Sequence, residues 1–198
     1  MYVRHEVTTQ GLVIARMSAG EGSLRVLVYT EALGLVTALA KSAREERSKL
    51  RAHLQAGTIG TFAFVKGRDF WRVIGATETE NVYFALEGDA AGKEAAARTL
   101  AAVRQFVHGA VADPYLWQAL SGFAHALSVH RTKLEVDPRT LEYLAVFRLL
   151  ASLGYVRERS TTGVFLETGY DTETLARAAS ARTALAHAVN EAIAASGL

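Results

Sequence analysis

The 198-residue chain has no cysteine. Disulfides, cysteine-ligated zinc, iron–sulfur clusters and thiol nucleophiles are therefore excluded. The absence fits a cytosolic protein. No apolar run reaches membrane-spanning length, because Arg, His or Gly interrupts each one. The opening Met1-Tyr2-Val3-Arg4-His5-Glu6-Val7 has charges where an export signal needs an apolar stretch, so no export is expected. GxSxG, HExxH, Walker A and GxGxxG patterns are all missing. The histidines, at positions 5, 53, 108, 125, 130 and 187, show no paired metal-ligand spacing. His125 and His130 are five apart and fall on different helix faces, so the histidines read as surface or satisfied core residues. The pair Glu45-Glu46 has no partner arrangement for two-metal chemistry. No enzyme, metal or cofactor is expected. Beyond an alanine bias there is no low-complexity tract, and no internal repeat.

Net charge is also scarce. The formal charge is +2, although the pI is near 9.0. Its distribution says more than its size. Residues 1–80 carry 11 Lys and Arg against 8 Asp and Glu, residues 81–156 carry 7 of each, and residues 157–198 carry 4 against 5. The cationic excess belongs to the N-terminal part, and clustering of this kind points to nucleic acid more than the total does. Half of the residues are hydrophobic, enough for a real core.

Residues 1–80 read as β structure. Short segments near 9–17, 23–30, 34–41, 57–66 and 70–79 are rich in Val, Leu, Ile, Thr, Phe and Tyr, with turn signals between them. Leu24, Val26 and Val28 alternate with Arg25, Leu27 and Tyr29. One gap is long, between the third and fourth strands. Five strands with a helical insert after the third describe an OB-type Greek-key barrel.

From about residue 90 the chain reads as helical. Ala90 to Ala112 places Ala97, Leu100, Val103, Val107 and Val111 on one face. Asp113-Pro114 stops that helix, and Pro114 can open the next, Tyr115 to Val129, with Leu116, Leu120, Phe123 and Leu127 aligned. Asp137-Pro138 starts a third, whose face is Leu141, Leu144, Phe147, Leu150 and Leu153, with Gly154 as C-cap. Residues 155–170 read as irregular, with a hairpin around Thr162-Gly163. Asp171 or Thr172 caps a helix near 172–180, and a last helix covers about 181–196. The expected architecture is α+β in two parts, an OB-fold barrel over 1–82 and a helical domain over 83–198.

The long gap holds the main functional signal. Lys41, Arg44, Arg47, Lys49 and Arg51 place five cations within eleven residues, the material for holding a phosphate backbone without reading its sequence. The same run also reads as a solvated helical face, with Glu45 and Glu46 pairing three or four residues on. Arg25, Arg68 and Arg72 are exposed-face cations that extend a basic groove. Among the aromatics, Tyr29, Phe62, Phe64 and Phe70 read mostly as core, and Trp71, facing opposite to Phe70, is the candidate base-stacking ring. In the helical part, the 141–153 stripe reads as bundle core. A shallow apolar groove there, rimmed by Arg131, Lys133, Arg139 and Arg148, would suit an acidic peptide.

These stretches resemble the RecO family of bacterial recombination mediators. The resemblance is carried first by Gly11-Leu12-Val13-Ile14-Ala15-Arg16 and Gly20-Glu21-Gly22-Ser23-Leu24. It continues in Leu33-Gly34-Leu35-Val36 with Ala40-Lys41-Ser42-Ala43-Arg44, where that family usually has glycine in place of Ser42. Leu54-Gln55, Thr58 to Val65, Trp71-Arg72, Asn81-Val82-Tyr83-Phe84, Phe147 to Tyr155 and the tail from Ala188 complete it. Many members carry four zinc-binding cysteines after the Leu-Gly-Tyr, and this chain has none there. The resemblance implies an accessory protein that binds single- and double-stranded DNA and anneals complementary strands. It further implies engagement of the acidic C-terminal tail of single-stranded-DNA-binding protein, pairing with RecR, loading of RecA, and a cytoplasmic, nucleoid-associated setting. A protein-interaction module without DNA binding and an RNA-binding OB protein remain as other readings of the same residues.

Overall fold

The computed structural model describes residues 5–45, 47–68, 70–130, 136–156 and 162–197. Five strands come first: β1 (Glu6–Ser18), β2 (Leu24–Thr30), β3 (Gly34–Ala40), β4 (Thr58–Lys66) and β5 (Trp71–Asn81). They close into a barrel in the order β1-β2-β3-β5-β4, with β1 pairing antiparallel to both β2 and β4 and β3 parallel to β5. This is the expected five-stranded OB topology. Alternating residues fill it: Val26, Val28, Val36, Ala38, Phe62, Phe64 and Val73 are all buried. A bulge between Val13 and Ala15 lets the long β1 bend between its two partners.

The β3–β4 connection is not a helical face. Residues 41–45 and 47–49 run through turns and bends, and only α1 (Leu50–His53), a single helical turn, follows. The i,i+4 pairing considered for Glu45 has no helix to support it. Ala43 and Leu54 anchor the connection by entering the barrel core, both fully buried. Burying a leucine contributes about 1.5–3 kcal/mol. It is this anchoring that turns the cations between them outward.

Seven helices are described in all. After α1 they are α2 (Val82–Ala85), α3 (Ala90–Phe106), α4 (Pro114–His130), α5 (Pro138–Ser152), α6 (Thr172–Ser180) and α7 (Arg182–Ser196), with a 3-10 turn at Gly163–Leu166. Side-chain carboxylates cap α3, α5 and α6: Asp89 accepts from Gly92 N–H, Asp137 from Arg139 N–H and Asp171 from Thr174 N–H. α5 ends in a Schellman motif: Tyr155 N–H bonds Leu150 O and Gly154 N–H bonds Ala151 O, both at 2.9 Å. α5 is buried on every side over its central turns, Ala145 to Leu150 included, and packs against α3, α4 and α7. The single stripe expected there understates its role as the central helix.

Two local expectations are corrected. α3 stops at Phe106, because Val107 takes extended geometry, so Val111 lies exposed outside any helix and Ala97 also faces solvent. The buried face is Ala96, Thr99, Leu100, Val103 and Phe106. At Thr162-Gly163 there is a 3-10 turn where a hairpin was expected.

By its contacts the chain divides into two compact units, Met1–Asn81 with His108–Ala112, and Val82–Val107 with Asp113–Leu198. His108–Ala112 joins the barrel at Gly34. This residue has φ +68°, and a Cβ there would lie 2.1 Å from Val111 O, so no other residue fits. Among the described residues no helix is long and apolar enough to cross a membrane.

Candidate nucleic-acid interface

Two cations of the basic run, Arg44 and Arg51, line a cleft of about 490 Å³ at an end of the barrel. Arg44 comes from the turn after β3, Arg51 from α1, and Arg16 from the end of β1, with Ser18 and Gln55 between them and Ala43 at the base. Arg44 N–H donates to Gly22 O at 2.8 Å, which ties the run to the β1–β2 turn. Ser42, at φ +53°, makes the reversal that buries Ala43 and exposes Arg44; it is the one non-glycine in the left-handed region among the described residues. Glu45 turns its carboxylate over Gly22. Among the described residues Arg16, Arg44 and Arg51 enter no ion pair. Three guanidiniums around one polar cleft fit phosphate oxygens, which they hold by forked N–H donors.

Arg16 escapes a period-two reading of β1. Counting from Val13 sends Arg16 to the outer face. The bulge reverses the alternation, so that Arg16 pairs with the buried Val26 and leaves the barrel at its mouth. No residue type announces the bulge.

A second groove, of about 390 Å³, lies over β2, β3 and the start of β5. Arg25, Thr37, Leu39, Phe70 and Trp71 line it. Here the two aromatics exchange their expected roles. Trp71 packs against the barrel core, its ring edge-on to Phe64 with centroids 6.4 Å apart and Lys66 Nζ 5.7 Å from its own centroid. Phe70 is the open ring, 51% exposed. Arg25 is exposed and Arg72 is half-buried, both on the outer face beside Leu39. Lys41, Arg47, Lys49 and Arg68 are exposed but line neither groove.

The proposed peptide rim does not assemble as expected. Arg148 is fully buried. Its Nε–H donates to Phe165 O at 2.9 Å, Nη1 to Thr168 O at 3.2 Å and Nη2 to Gly169 O at 2.9 Å. It organises the 163–170 segment and cannot meet a partner. Arg139 lines a groove of about 550 Å³ with Arg98, Tyr143 and Arg182. There Arg98 is bonded to Glu142 and, less strongly, to Glu94, which raises its already high pKa further, and Arg182 is bonded to Asp137. Arg131 and Lys133 lie outside the described residues.

Nothing fits the zinc that the resemblance brings with it. The chain has no cysteine, and among the described residues no group of three or more His, Asp or Glu could hold a metal ion.

Compared with known proteins, residues 3–80 match the family model described as Recombination protein O N terminal. A DNA repair protein RecO from Alkaliphilus metalliredigens is 26% identical over 136 residues, 69% of this chain and 55% of the relative. Another, from Acetivibrio thermocellus, is 28% identical over 149 residues, 74% of this chain and 57% of the relative. The chain spans just over half the length of these curated relatives.

Proposed function

We propose that the chain is a RecO-type DNA repair and recombination mediator whose barrel holds single- and double-stranded DNA by the phosphates, a reading supported by the match of residues 3–80 and by the similarity to the two DNA repair proteins RecO. The observation that supports this most directly is the cleft shared by Arg16, Arg44 and Arg51 on an OB barrel. Phosphate contact of this kind is indifferent to base sequence, as a mediator acting on arbitrary DNA needs to be. Cations on one surface also lower the repulsion between two strands, so complementary strands meet there more often. Strand annealing is the activity we assign to that effect.

Loading of RecA onto DNA coated by single-stranded-DNA-binding protein, with RecR as helper, is the cellular role this activity would serve. Recruitment through the acidic tail of single-stranded-DNA-binding protein would fall to the helical unit. Arg139 is the rim cation there that enters no ion pair among the described residues.

The test is annealing of two complementary oligonucleotides carrying a fluorescence donor and acceptor. The chain should accelerate pairing, and Arg44→Ala with Arg51→Ala should abolish most of the acceleration. Undiminished acceleration in that variant contradicts the assignment. No acceleration by the native chain, with tail-peptide binding intact, favours the protein-interaction reading. An RNA pair of the same sequence separates a DNA role from an RNA one.

A further inference from the structure

The chain holds two methionines, Met1 and Met17, and no cysteine, so Met17 is the only sulfur beyond residue 1. Methionine ordinarily fills gaps in a core. Here the barrel core is packed with Val, Leu, Ala and Phe, and Met17 stands outside it, 52% exposed. It lines the arginine cleft together with Arg16, Arg44, Arg51 and Gln55. Its backbone is fixed there. Met17 pairs with Arg25 in the β1–β2 ladder, and Ala19 N–H bonds Ser23 O at 3.1 Å to close the turn beyond it. Directly opposed residues have Cβ atoms about 5 Å apart, so a fourth arginine side chain starts beside the thioether.

An exposed thioether is open to hydrogen peroxide, whereas one packed in a core is shielded. The sulfur lone pair attacks one peroxide oxygen. The S–O bond forms as the O–O bond breaks, and the second oxygen leaves as hydroxide. That hydroxide takes the proton from the S–OH group and becomes water. Sulfur loses two electrons, and the peroxide gains them. The product, a sulfoxide, is polar and carries an acceptor oxygen where an apolar thioether stood. Among arginines this oxygen accepts from a guanidinium N–H. It is tethered beside those donors, which a phosphate must reach from solution.

We propose that Met17 is a reversible oxidation site, at which a peroxide converts the thioether to the sulfoxide and the new oxygen takes a guanidinium away from phosphate. The inference rests on the phosphate-binding reading above and adds a control to it. The reduced side chain has no acceptor of this strength and leaves the cleft's three guanidiniums open to DNA. The oxidised one occupies one of them. Met17 is no part of the barrel core, so the change reaches the cleft without unfolding the barrel. Enzymatic reduction of the sulfoxide restores the thioether, and with it the cleft.

The experiment treats the full chain with hydrogen peroxide and locates the added oxygen by peptide mass spectrometry. Binding of labelled oligo-dT is then measured by fluorescence anisotropy over a salt series. Met17 should gain one oxygen while the circular dichroism of the chain stays the same. Losing one of three phosphate contacts should flatten the salt slope by about 0.7, a loss of about 5-fold in affinity at ~0.1 M salt. Treatment with methionine sulfoxide reductases should return both values. Met17→Leu, which retains Met1, should bind equally before and after peroxide. Three results overturn the proposal: Met17 unoxidised where a free methionine control is converted, an oxidised chain that binds as the reduced one does, or a Met17→Leu variant that loses affinity as the native chain does. If the untreated native chain binds no DNA at low salt, the phosphate reading itself fails, and this control with it.

Discussion

The Arg148 guanidinium lies 4.5 Å from the centre of the Tyr170 ring while its N–H groups bond the carbonyls of Phe165, Thr168 and Gly169. Tyr170 continues the chain of contacts by donating its hydroxyl to Ala119 O at 3.0 Å. One buried cation thus gathers an irregular segment and fastens it to α4 and α5. The segment is ordered by an arginine on the central helix.

Removing Arg148 leaves three carbonyls without their donor. Each unsatisfied buried group costs about 1–3 kcal/mol. Arg148→Met should therefore destabilise the helical unit by about 3 kcal/mol or more, seen as a lower Tm. Arg148→Lys should rescue little, because an ammonium cannot present the planar fork. A Tm within a degree or two of native contradicts the structural role given to this arginine.

Burial pushes the Tyr170 hydroxyl up to about 12, against a smaller opposing effect of Arg148. The unfolded chain ionises this group near pH 10. Its contribution is fully present below pH 10 and is lost as pH rises through about 12, because the unfolded state releases its proton first. Denaturant midpoints should fall over that window more steeply in the native chain than in Tyr170→Phe. Parallel curves would show that the hydroxyl does not titrate with unfolding.

Ser42 is held at φ +53°, in the left-handed region that favours glycine. Left-handed geometry costs an ordinary residue about 1–2 kcal/mol. Ser42→Gly should raise stability by about 1 kcal/mol and leave the path of the basic run intact. Thermal unfolding measures the first effect and DNA affinity the second. A destabilised variant would mean that the serine side chain contributes more than its backbone strain costs.

Leu54 joins the basic connection to the barrel core. Leu54→Ala should cost about 2–5 kcal/mol through the cavity it leaves. It should also weaken DNA binding in the folded protein, because Arg51 loses its support. Lost stability with unchanged affinity would separate the anchor from the interface.

Much of the fold is legible in the residues themselves. Alternation in Leu24 to Thr30 marks β2, and Asp137-Pro138 and Gly154 bracket α5 through capping chemistry that depends on only a few neighbours. The basic run is equally legible as a cluster. What escapes is whatever depends on three-dimensional register. Arg16 joins Arg44 and Arg51 only because a bulge shifts β1 by one residue. Phe70 and Trp71 are adjacent rings of similar character, and pairing of Trp71 with the inward-facing Ala38 decides which is open. Arg148 has the sequence pattern of a surface cation. Only the carbonyls brought to it from 17 to 21 residues away make burial tolerable.

The measurement that bears most directly on the interface is the salt dependence of single-stranded DNA binding by the native chain and by Arg44→Ala/Arg51→Ala. Three phosphate contacts give a slope of log K against log salt of about −2, and losing two of them should flatten it by about 1.4. That pair of slopes is the expected result. An unchanged slope in the double variant, or no binding by the native chain at low salt, would contradict the assignment of this cleft to phosphate.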